Sequence, residues 1–366
     1  MKQGWEIRPF EKCIEKVKYT TKIATCDYST MGAYPVVSQE EEYISGYWNN
    51  AEDVFRVSKP VVIFGDHTRV LKYVDFDFVL GADGVKILQP IDAINVKFFL
   101  YYLIASKIPS LGYSRHYKLL KELNVPVPPI PEQEKIVAEL DCLSGIIEKK
   151  KQQLKELDNL AQSIFYEMFG DPVENDKGWE VKTYGSEFQI SSGGTPDTKN
   201  NLYWDNGDIS WIGSNLCHDE IIYKNDGKYI TKDGFDNSSA KEYKSGYVLV
   251  ALVGATIGRT ALLRFNTTTN QNVAGINVPA NDNFVPEFIF YHLQKLYELF
   301  MGIGNGKFKM ANLRFIRELP LIVPSLSLQQ DFASKIESIE KQKELIAQSI
   351  KETETLFNSR MDYYFN

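Results

Sequence analysis

The sequence VPVPPIPEQEKIVAEL at residues 125–140 returns in diverged form as LIVPSLSLQQDFASKI at residues 321–336. A second pair of similar strings opens each half of the chain, GWEI at 4–7 and GWEV at 178–181. Two copies of one unit, each a variable body followed by a similar tail, predict a molecule that contacts something at two places. We therefore expect an internal pseudo-twofold repeat.

The two tails carry apolar residues at alternating steps of four and three, which is typical of a coiled-coil seam. Proline at 131 indicates the start of the first helix and Gly170 its end. The pattern predicts two helices of about 37 residues, each roughly 55 Å long. The predicted seam comprises Ile136, Leu140, Leu143, Ile147, Leu154 and Leu157 in the first helix and Phe332, Ile336, Ile339, Ile346, Ile350 and Phe357 in the second.

Two arrangements of these helices are open at the level of sequence. Each helix could pack on its own body as in an ordinary bundle, or the two could pack on each other. We favour the second arrangement, and an antiparallel pair would hold the two bodies at opposite ends. Apolar surface left over on the helices could dock a partner protein.

The bodies have the patterns of mixed α and β structure. VVIFG at 61–65 and VLVALVG at 248–254 predict buried strands, whereas 98–103 and 288–293 predict short helices that enter the core. The fold class expected is α+β, with two mixed α/β domains separated by two long antiparallel coiled-coil helices. The predicted parts are residues 1–130 (first body), 131–170 (first helix), 171–326 (second body) and 327–366 (second helix).

Composition narrows the class of protein. The net charge of −7 argues against a simple basic nucleic-acid module, so any grip on DNA has to come from local patches or from partner subunits. The start of the chain lacks the apolar segment of a signal peptide, and no run is apolar enough to span a bilayer. Four separated cysteines and four histidines without ligand spacing predict a reduced, cytoplasmic chain with no bound metal.

Catalysis is not visible in the sequence. The segment 254–259, GATIGR, lacks the spacing of a phosphate-binding loop, and no Ser, His and Asp set or cofactor-binding glycine loop is evident. We expect a chain without an active site or cofactor of its own.

Polar and basic residues beside the predicted strands are the candidate DNA contacts. GYSRHYK at 112–118, with GKFKMAN at 306–312 as its positional counterpart, combines cations, aromatics and glycine. Such a loop suits phosphate contacts with some base contact, although a solvated loop is the open alternative. Polar loops at 193–196 and 270–272 could read adenine or simply satisfy turns. The candidates are Thr68, Arg69, Arg115, His116, Lys118, Thr195, Lys199, Thr256, Arg259, Lys307 and Lys309.

Across essentially its whole length the chain resembles the specificity subunits of type I restriction-modification systems. The resemblance lies in the order of several strings within a body–helix–body–helix repeat rather than in one motif. These strings are VVIFGDHTRVLKYVDFDFVLGADGVKIL at 61–88, GYSRHYKLLKELNVPVPPIPEQEKI at 112–136, GGTPDTKNNLYW at 193–204, VLVALVGATIGRTALL at 248–263 and NQNVAGI at 270–276.

The resemblance implies two target recognition domains, each reading one half of a split DNA sequence through the major groove. It implies two antiparallel helices that act as a ruler. It also implies partners: two modification subunits that methylate adenine with S-adenosylmethionine, and restriction subunits that use ATP and Mg²⁺ as motor nucleases. Two other functions stay open, namely a protein-only coiled-coil scaffold, favoured by the charge of −7, and a stand-alone nuclease or methyltransferase.

Overall fold

The computed structural model describes residues 4–82, 84–112, 114–279, 283–303 and 310–366. The chain forms two compact units, which are described separately below. The first unit consists of Met1–Gln152 with Ala347–Asn366, and the second of Gln153–Ile346. Across the described residues, no helix combines the length and the apolar character needed to cross a bilayer.

The described residues of the first unit form strands grouped in three sheets, two short α-helices and parts of both long helices. The sheets have the strand orders β1-β11, β2-β10-β7-β8 and β3-β9-β4-β5, with β6 also pairing to β9. The elements are β1 (Glu6–Pro9), β2 (Ile14–Glu15), β3 (Lys22–Ile23), β4 (Tyr34–Val37), β5 (Gly46–Trp48), β6 (Val54–Phe55), β7 (Val61–Gly65), β8 (Leu71–Val74), β9 (Phe78–Gly81), β10 (Val85–Pro90), α1 (Val96–Ala105), α2 (Tyr117–Leu120) and β11 (Asn124–Val127).

Outside the undescribed residues 280–282 and 304–309, the second unit also has three sheets. Their strand orders are β12-β22, β13-β21-β18-β19-β15 and β16-β14-β20-β17. The elements are β12 (Glu180–Thr183), α4 (Tyr184–Glu187), β13 (Gln189–Ser192), β14 (Ile209–Ile212), β15 (Glu220–Ile222), β16 (Tyr229–Ile230), α5 (Lys232–Asp236), β17 (Glu242–Tyr243), β18 (Val248–Ala251), β19 (Thr260–Leu263), β20 (Thr267–Thr269), β21 (Val273–Asn277), α6 (Pro286–Lys295), α7 (Tyr297–Met301), α8 (Leu313–Glu318) and β22 (Pro320–Val323).

The two units share one topology, which confirms the internal repeat. In each, a first strand pairs antiparallel with the strand that precedes a long helix: β1 with β11 and β12 with β22. The order β2-β10-β7-β8 corresponds to β13-β21-β18-β19. A parallel pair recurs as β4 with β9 and as β14 with β20. The strand β15 extends its sheet beyond this common pattern.

The predicted strands and short helices form the cores. All five residues of β7 are buried, as are all four of β18, because each strand has sheet neighbours on both sides and apolar cover on both faces. Phe98 and Phe99 of α1 are fully buried in the first unit, and Phe288 and Ile289 of α6 are their counterparts in the second.

The two long helices are α3 (Ile130–Phe169) and α9 (Leu326–Phe365), each of 40 residues. The start of α3 lies one residue before Pro131, which the first turn accommodates because its amides have no partner within the helix. Gly170, with φ of 75°, follows the last residue of α3, where only glycine adopts this left-handed conformation without strain.

Within each unit, segments of the two long helices run antiparallel. In the first unit Lys150 donates to Thr353 over 3.4 Å, and Arg360 donates to Glu139 over 3.0 Å. Residue numbers therefore rise along one helix as they fall along the other. The second unit repeats the arrangement, since the rings of Phe165 and Phe332 are 5.6 Å apart and Lys343 lies 2.8 Å from Asp158.

Both arrangements that the sequence left open occur together. Seam residues near the helix ends also belong to the cores of the bodies, so Ile136 and Leu140 pack with Phe98, and Phe332 packs with Phe288. Buried seam residues are Ile136, Leu140, Phe332, Ile336, Ile339 and Ile350, and half-buried ones are Leu143, Ile147, Leu154, Leu157, Ile346 and Phe357.

A buried glutamine anchors the first turn of each long helix. Gln133 donates to the carbonyls of Ala93 and Pro128 over 2.9 and 2.7 Å and accepts from the amide of Asn95 over 2.7 Å. These three bonds tie the start of α3 to the segment that begins α1.

Gln329 repeats this anchor in the second unit. It donates to the carbonyls of Asn283 and Pro324 over 3.0 and 2.9 Å and accepts from the amide of Val285 over 3.1 Å. The two anchors lie at matching places in the repeated strings, PEQE and SLQQ.

Candidate nucleic-acid interface

The turn between β7 and β8 carries two of the predicted contacts. Arg69 is exposed, has a φ of 64° and donates to the carbonyl of Ile108 over 3.1 Å. Thr68 is half-buried, and its Oγ1 donates to the carbonyl of Gln39 over 2.5 Å and accepts from the amide of Val70 over 3.3 Å. Thr68 therefore shapes the turn, whereas Arg69 keeps exposed surface.

A pair of residues, Asp66 and His116, joins this turn to the loop before α2. The carbonyl of Asp66 accepts from the amide of His116 over 2.8 Å and from its Nδ1 over 2.9 Å. Nε2 of His116 accepts from the amide of Leu111 over 2.9 Å, which assigns the ring proton to Nδ1. The Asp66 carboxylate in turn accepts from the amide of Tyr117 over 2.7 Å.

These bonds correct the prediction for His116. Its side chain is fully buried and both ring nitrogens are engaged within the chain, so it holds the loop in place instead of facing DNA. The loop that it holds carries Arg115 and Lys118, which are both exposed. The structure thus brings Arg69, Arg115 and Lys118 onto adjacent segments, and we call residues 66–70, 107–112 and 114–118 the first loop surface.

An acidic segment borders the first loop surface. Gln39 contacts the turn through its bond from Thr68 and accepts from the amide of His67 over 3.2 Å. Glu40, Glu41 and Glu42 follow it and are exposed. Three carboxylates beside the cations weaken general attraction for phosphate and leave a surface of mixed sign.

The second unit joins its corresponding turn and loop in the same way. The amide of Ala311 donates to the carbonyl of Leu252 over 2.8 Å, as His116 does to Asp66. The amide of Leu252 donates to the carbonyl of Asn272 over 2.8 Å, as Asp66 does to Gly84 over 2.7 Å. This pairing places Ala311 opposite His116 and Met310 opposite Arg115. The sequence alignment of 112–118 with 306–312 instead places Met310 opposite His116, so the two differ by one residue. The predicted contacts Lys307 and Lys309 lie outside the described residues.

Arg259 lies on the turn between β18 and β19 and is held by two groups. It forms an ion pair of 2.5 Å with Asp219, and its guanidinium lies 4.4 Å from the ring centre of Tyr297. The hydrogen bond to Asp219 raises the pKa of Arg259 above its ordinary value. The side chain keeps 44% of its surface exposed. Thr256 is half-buried on the same turn, and its carbonyl accepts from the amide of Arg259 over 2.9 Å.

The polar loops of the second unit also meet. Thr195 donates through Oγ1 to Oε1 of Gln271 over 2.7 Å, and the amide of Gly194 donates to the carbonyl of Thr269 over 2.8 Å. Lys199 is exposed on the same loop as Thr195. We call residues 193–199, 252–259 and 270–272 the second loop surface. Gln271 is not among the predicted contacts, although the sequence places three amide side chains in a row at 270–272, which is the pattern that points to it.

Chemical groups that could serve catalysis are instead buried within the bodies. Burial raises the pKa of the Cys13 thiol to about 11 and that of Cys217 to about 12, so neither is a thiolate near neutral pH. Burial lowers the pKa of His292 to about 3, and its Nδ1 is 2.8 Å from the Tyr184 hydroxyl. Among the residues that the structure describes, no cluster of His, Cys, Asp or Glu could hold a metal ion.

Comparison with known families matches both units. The family model of the type I restriction modification DNA specificity domain matches residues 3–159 and again residues 176–355. The chain belongs to this specificity family. The resemblance seen in the sequence is therefore confirmed. Specificity subunits are not themselves catalytic, so membership also confirms that this chain is no enzyme.

One relative and two solved structures match over nearly the full length. The chain is 23% identical over 380 residues to the type I restriction enzyme EcoR124I/EcoR124II specificity subunit of Escherichia coli, covering 98% of this chain and 91% of that one. A crystal structure of the type I restriction-modification S subunit from M. genitalium has a TM-score of 0.60 at 13% identity, covering 98% of this chain and 95% of that one.

A further solved structure, described as showing complex assembly and conformational transition of the type I system, has a TM-score of 0.56 at 16% identity. It covers 100% of this chain and 98% of that one. At these identities the two structures bear on the fold alone, and both support the α+β architecture described above.

Proposed function

We propose that this specificity subunit reads a bipartite DNA target, with each loop surface contacting one half-site. The observation that carries the proposal is the shared joint between turn and loop, which presents exposed cations in the first unit and recurs with the same backbone bonds in the second. Phosphate contacts from Arg or Lys would position the duplex, and side chains such as Gln271 would contact base edges. Different side chains at equivalent places would then select different half-sites.

The chemistry in this proposal belongs to partners. Two modification subunits would methylate adenine with S-adenosylmethionine, and restriction subunits would use ATP and Mg²⁺. Docking on the long helices is supported by exposed apolar side chains there, since soluble helices seldom expose so many without a partner. These side chains are Ile146, Leu160, Tyr166, Leu345 and Leu356. We place this assembly in the cytoplasm, where DNA is available to it.

A selection from random duplexes tests the proposal. The full chain, bound to its modification partner, would be incubated with a duplex library, and the retained sequences would be read. The expected result is two short preferred sequences separated by a fixed gap of free sequence. Retention without any sequence preference would contradict the proposal.

A protein-only scaffold is the second candidate, because the net charge is −7 and Glu40–Glu42 border the first loop surface. Salt separates the two functions. Phosphate contacts release counterions, so the logarithm of DNA affinity should fall linearly with that of salt concentration. Duplex retention that is weak and independent of salt would favour the scaffold.

A further inference from the structure

The outer edge of β8 differs from that of its counterpart in the second unit. Among the described residues β8 is the last strand of its sheet, whereas β19 carries β15 on its outer side. The strand β15 runs parallel to β19, with Ile221 opposite Leu262 and Ile222 opposite Leu263. An open strand edge presents unpaired amides and carbonyls, which makes it a template for another strand.

Hydrogen bonds identify which groups of β8 face outward. The amide of Gly65 donates to the carbonyl of Val70 over 2.8 Å, so Val70 faces β7. In an antiparallel pair this orientation alternates along the strand, so Leu71 and Tyr73 direct their backbone groups away from β7. Tyr73 is paired with Val62 in the sheet.

The same groups in the second unit bind β15. Leu262 pairs with Val248 as Tyr73 pairs with Val62, so Thr260 and Leu262 correspond to Leu71 and Tyr73. There the carbonyl of Thr260 accepts from the amide of Asp219 over 2.8 Å. The fold therefore accommodates an added parallel strand at this edge.

A side chain covers part of the β8 edge in the first unit. The Tyr43 hydroxyl donates to the outward carbonyl of Tyr73, a position where a strand amide would donate. Tyr43 is itself exposed over 47% of its surface, and its ring contacts Phe76 edge-on, with the ring centres 5.9 Å apart. The Tyr43 hydroxyl thus makes one of the hydrogen bonds that an added strand would make to β8.

A groove of about 400 Å³ lies along this edge. Leu71, Tyr73, Leu100 and Tyr101 line it together with Tyr43 and Glu41. The ion pair of Lys97 with Asp141, whose Nζ and Oδ2 are 2.6 Å apart, lines it as well. In the second unit Ile221 of β15 packs against the core that contains α6, the counterpart of α1. The groove therefore has room for an aliphatic side chain at the place corresponding to Ile221.

Charge at the end of the edge differs between the units. Arg264 follows β19, and its amide donates to the carbonyl of Ile222 over 2.9 Å. The residue after β8 is Asp75, which is exposed. Tyr223, which follows β15, lies opposite the cation Arg264. The equivalent residue of a strand bound to β8 would instead lie opposite the anion Asp75.

We propose that the outer edge of β8 binds an extended segment of a partner protein as an added parallel strand. The bound segment places an aliphatic residue opposite Tyr73, in the groove, and a lysine or arginine opposite Asp75. Backbone hydrogen bonds supply the affinity, and the groove and Asp75 supply the preference.

Peptides copied from the second unit are the probes. Fluorescent copies of residues 218–225, either unchanged or with Tyr223→Arg, would be titrated with the full chain in the absence of DNA. A copy with Ile222→Pro serves as the control, because proline disfavours a paired strand. We expect binding of the first two, tighter by about fivefold for Tyr223→Arg, and loss of binding for the proline copy.

Variants and hydrogen exchange locate the bound peptide. Tyr43→Phe should tighten binding by about threefold, because the carbonyl of Tyr73 no longer has to exchange a hydroxyl for the peptide amide. Asp75 is exposed, so Asp75→Lys should leave the fold intact. This variant should bind a peptide with Tyr223→Glu more tightly than the peptide with Tyr223→Arg. The amides of Leu71 and Tyr73 should exchange more slowly when peptide is bound.

Three outcomes would overturn the proposal. The first is failure of every peptide to bind. The second is that the Asp75→Lys variant still prefers the peptide with Tyr223→Arg. The third is slow exchange at Leu71 and Tyr73 that depends on chain concentration without peptide, because a second copy would then be the occupant. Since DNA is absent throughout, failure here leaves the proposed DNA recognition untouched.

Discussion

Arg115 and His116 are neighbours in a loop but have opposite environments. The sequence predicts both as DNA contacts, because cations and aromatics alternate around them. The structure leaves Arg115 exposed and buries His116 against the carbonyl of Asp66. No local pattern reports a partner 50 residues away along the chain. The sequence therefore could not predict which side chains of the candidate interface are exposed.

Arg115→Ala tests the first loop surface. We expect affinity for one half-site to fall about tenfold, because a lost contact to a base or phosphate costs on the order of 1–3 kcal/mol. The preference at the other half-site should be unchanged, as measured by competition with singly altered duplexes. Equal losses at both half-sites would contradict two independent readers.

Arg56→Ala is the matched control for Arg115→Ala. Arg56 forms a surface ion pair of 2.7 Å with Asp77 and lies before β7, at the opposite end of that strand from the turn 66–70. Arg56→Ala removes the same charge from the same unit as Arg115→Ala. Because Arg56 lies away from the first loop surface, the effect of this substitution on DNA affinity should be small.

His292 gives the second unit a dependence on pH. Burial lowers its folded-state pKa to about 3, below the ordinary value of 6.5, so the unfolded chain binds the extra proton. Stability from this group is present above pH 6.5 and is lost as the pH falls toward 3. Between pH 7.5 and 5 the loss should be about 2 kcal/mol.

Urea unfolding at both pH values, with His292→Gln as the comparison, measures this loss. Glutamine has no proton to gain in this range, so the variant should lose about 2 kcal/mol less than the parent chain. The same pH dependence in both proteins would show that another group is responsible.

The regular elements were the part of the fold that the sequence predicted well. Apolar steps of four and three predicted α3 and α9, and short apolar runs predicted β7 and β18. The added strand β15 was not predicted, because its three residues pair with a strand some 40 positions later and carry no periodic signal of their own. Gln133 and Gln329 were visible as a repeated letter, but their bonds depend on carbonyls from distant segments.

Gln329→Leu should lower the free energy of unfolding by about 3 kcal/mol. Leucine has a similar volume but leaves an amide and two carbonyls without a partner in a buried place. Gln330→Leu is the control, because Gln330 is the exposed neighbour on the same helix and should shift stability by less than about 0.5 kcal/mol. Comparable effects of the two substitutions in urea unfolding would refute the anchor.

For the whole molecule, the proposed bipartite target makes the length of the helices a functional quantity. Insertion of four residues after Gln152, where the division into units falls, would lengthen α3 by about 6 Å. That is near the rise of two base pairs at about 3.4 Å each. We expect the same half-sites with a longer gap in the selected duplexes, and an unchanged gap would refute a ruler.

The two units also differ in how their chain is assembled. The second unit is one uninterrupted segment, whereas the first combines Met1–Gln152 with the final twenty residues, Ala347–Asn366. Phe357 and Phe365 of that final segment contact Tyr101 and Phe98 in the first core. During synthesis, then, the second unit has all its residues once Ile346 has been added, while the first still waits for the last turns of α9. The part made first completes its core last, and over that interval its apolar surface is open to aggregation and proteolysis.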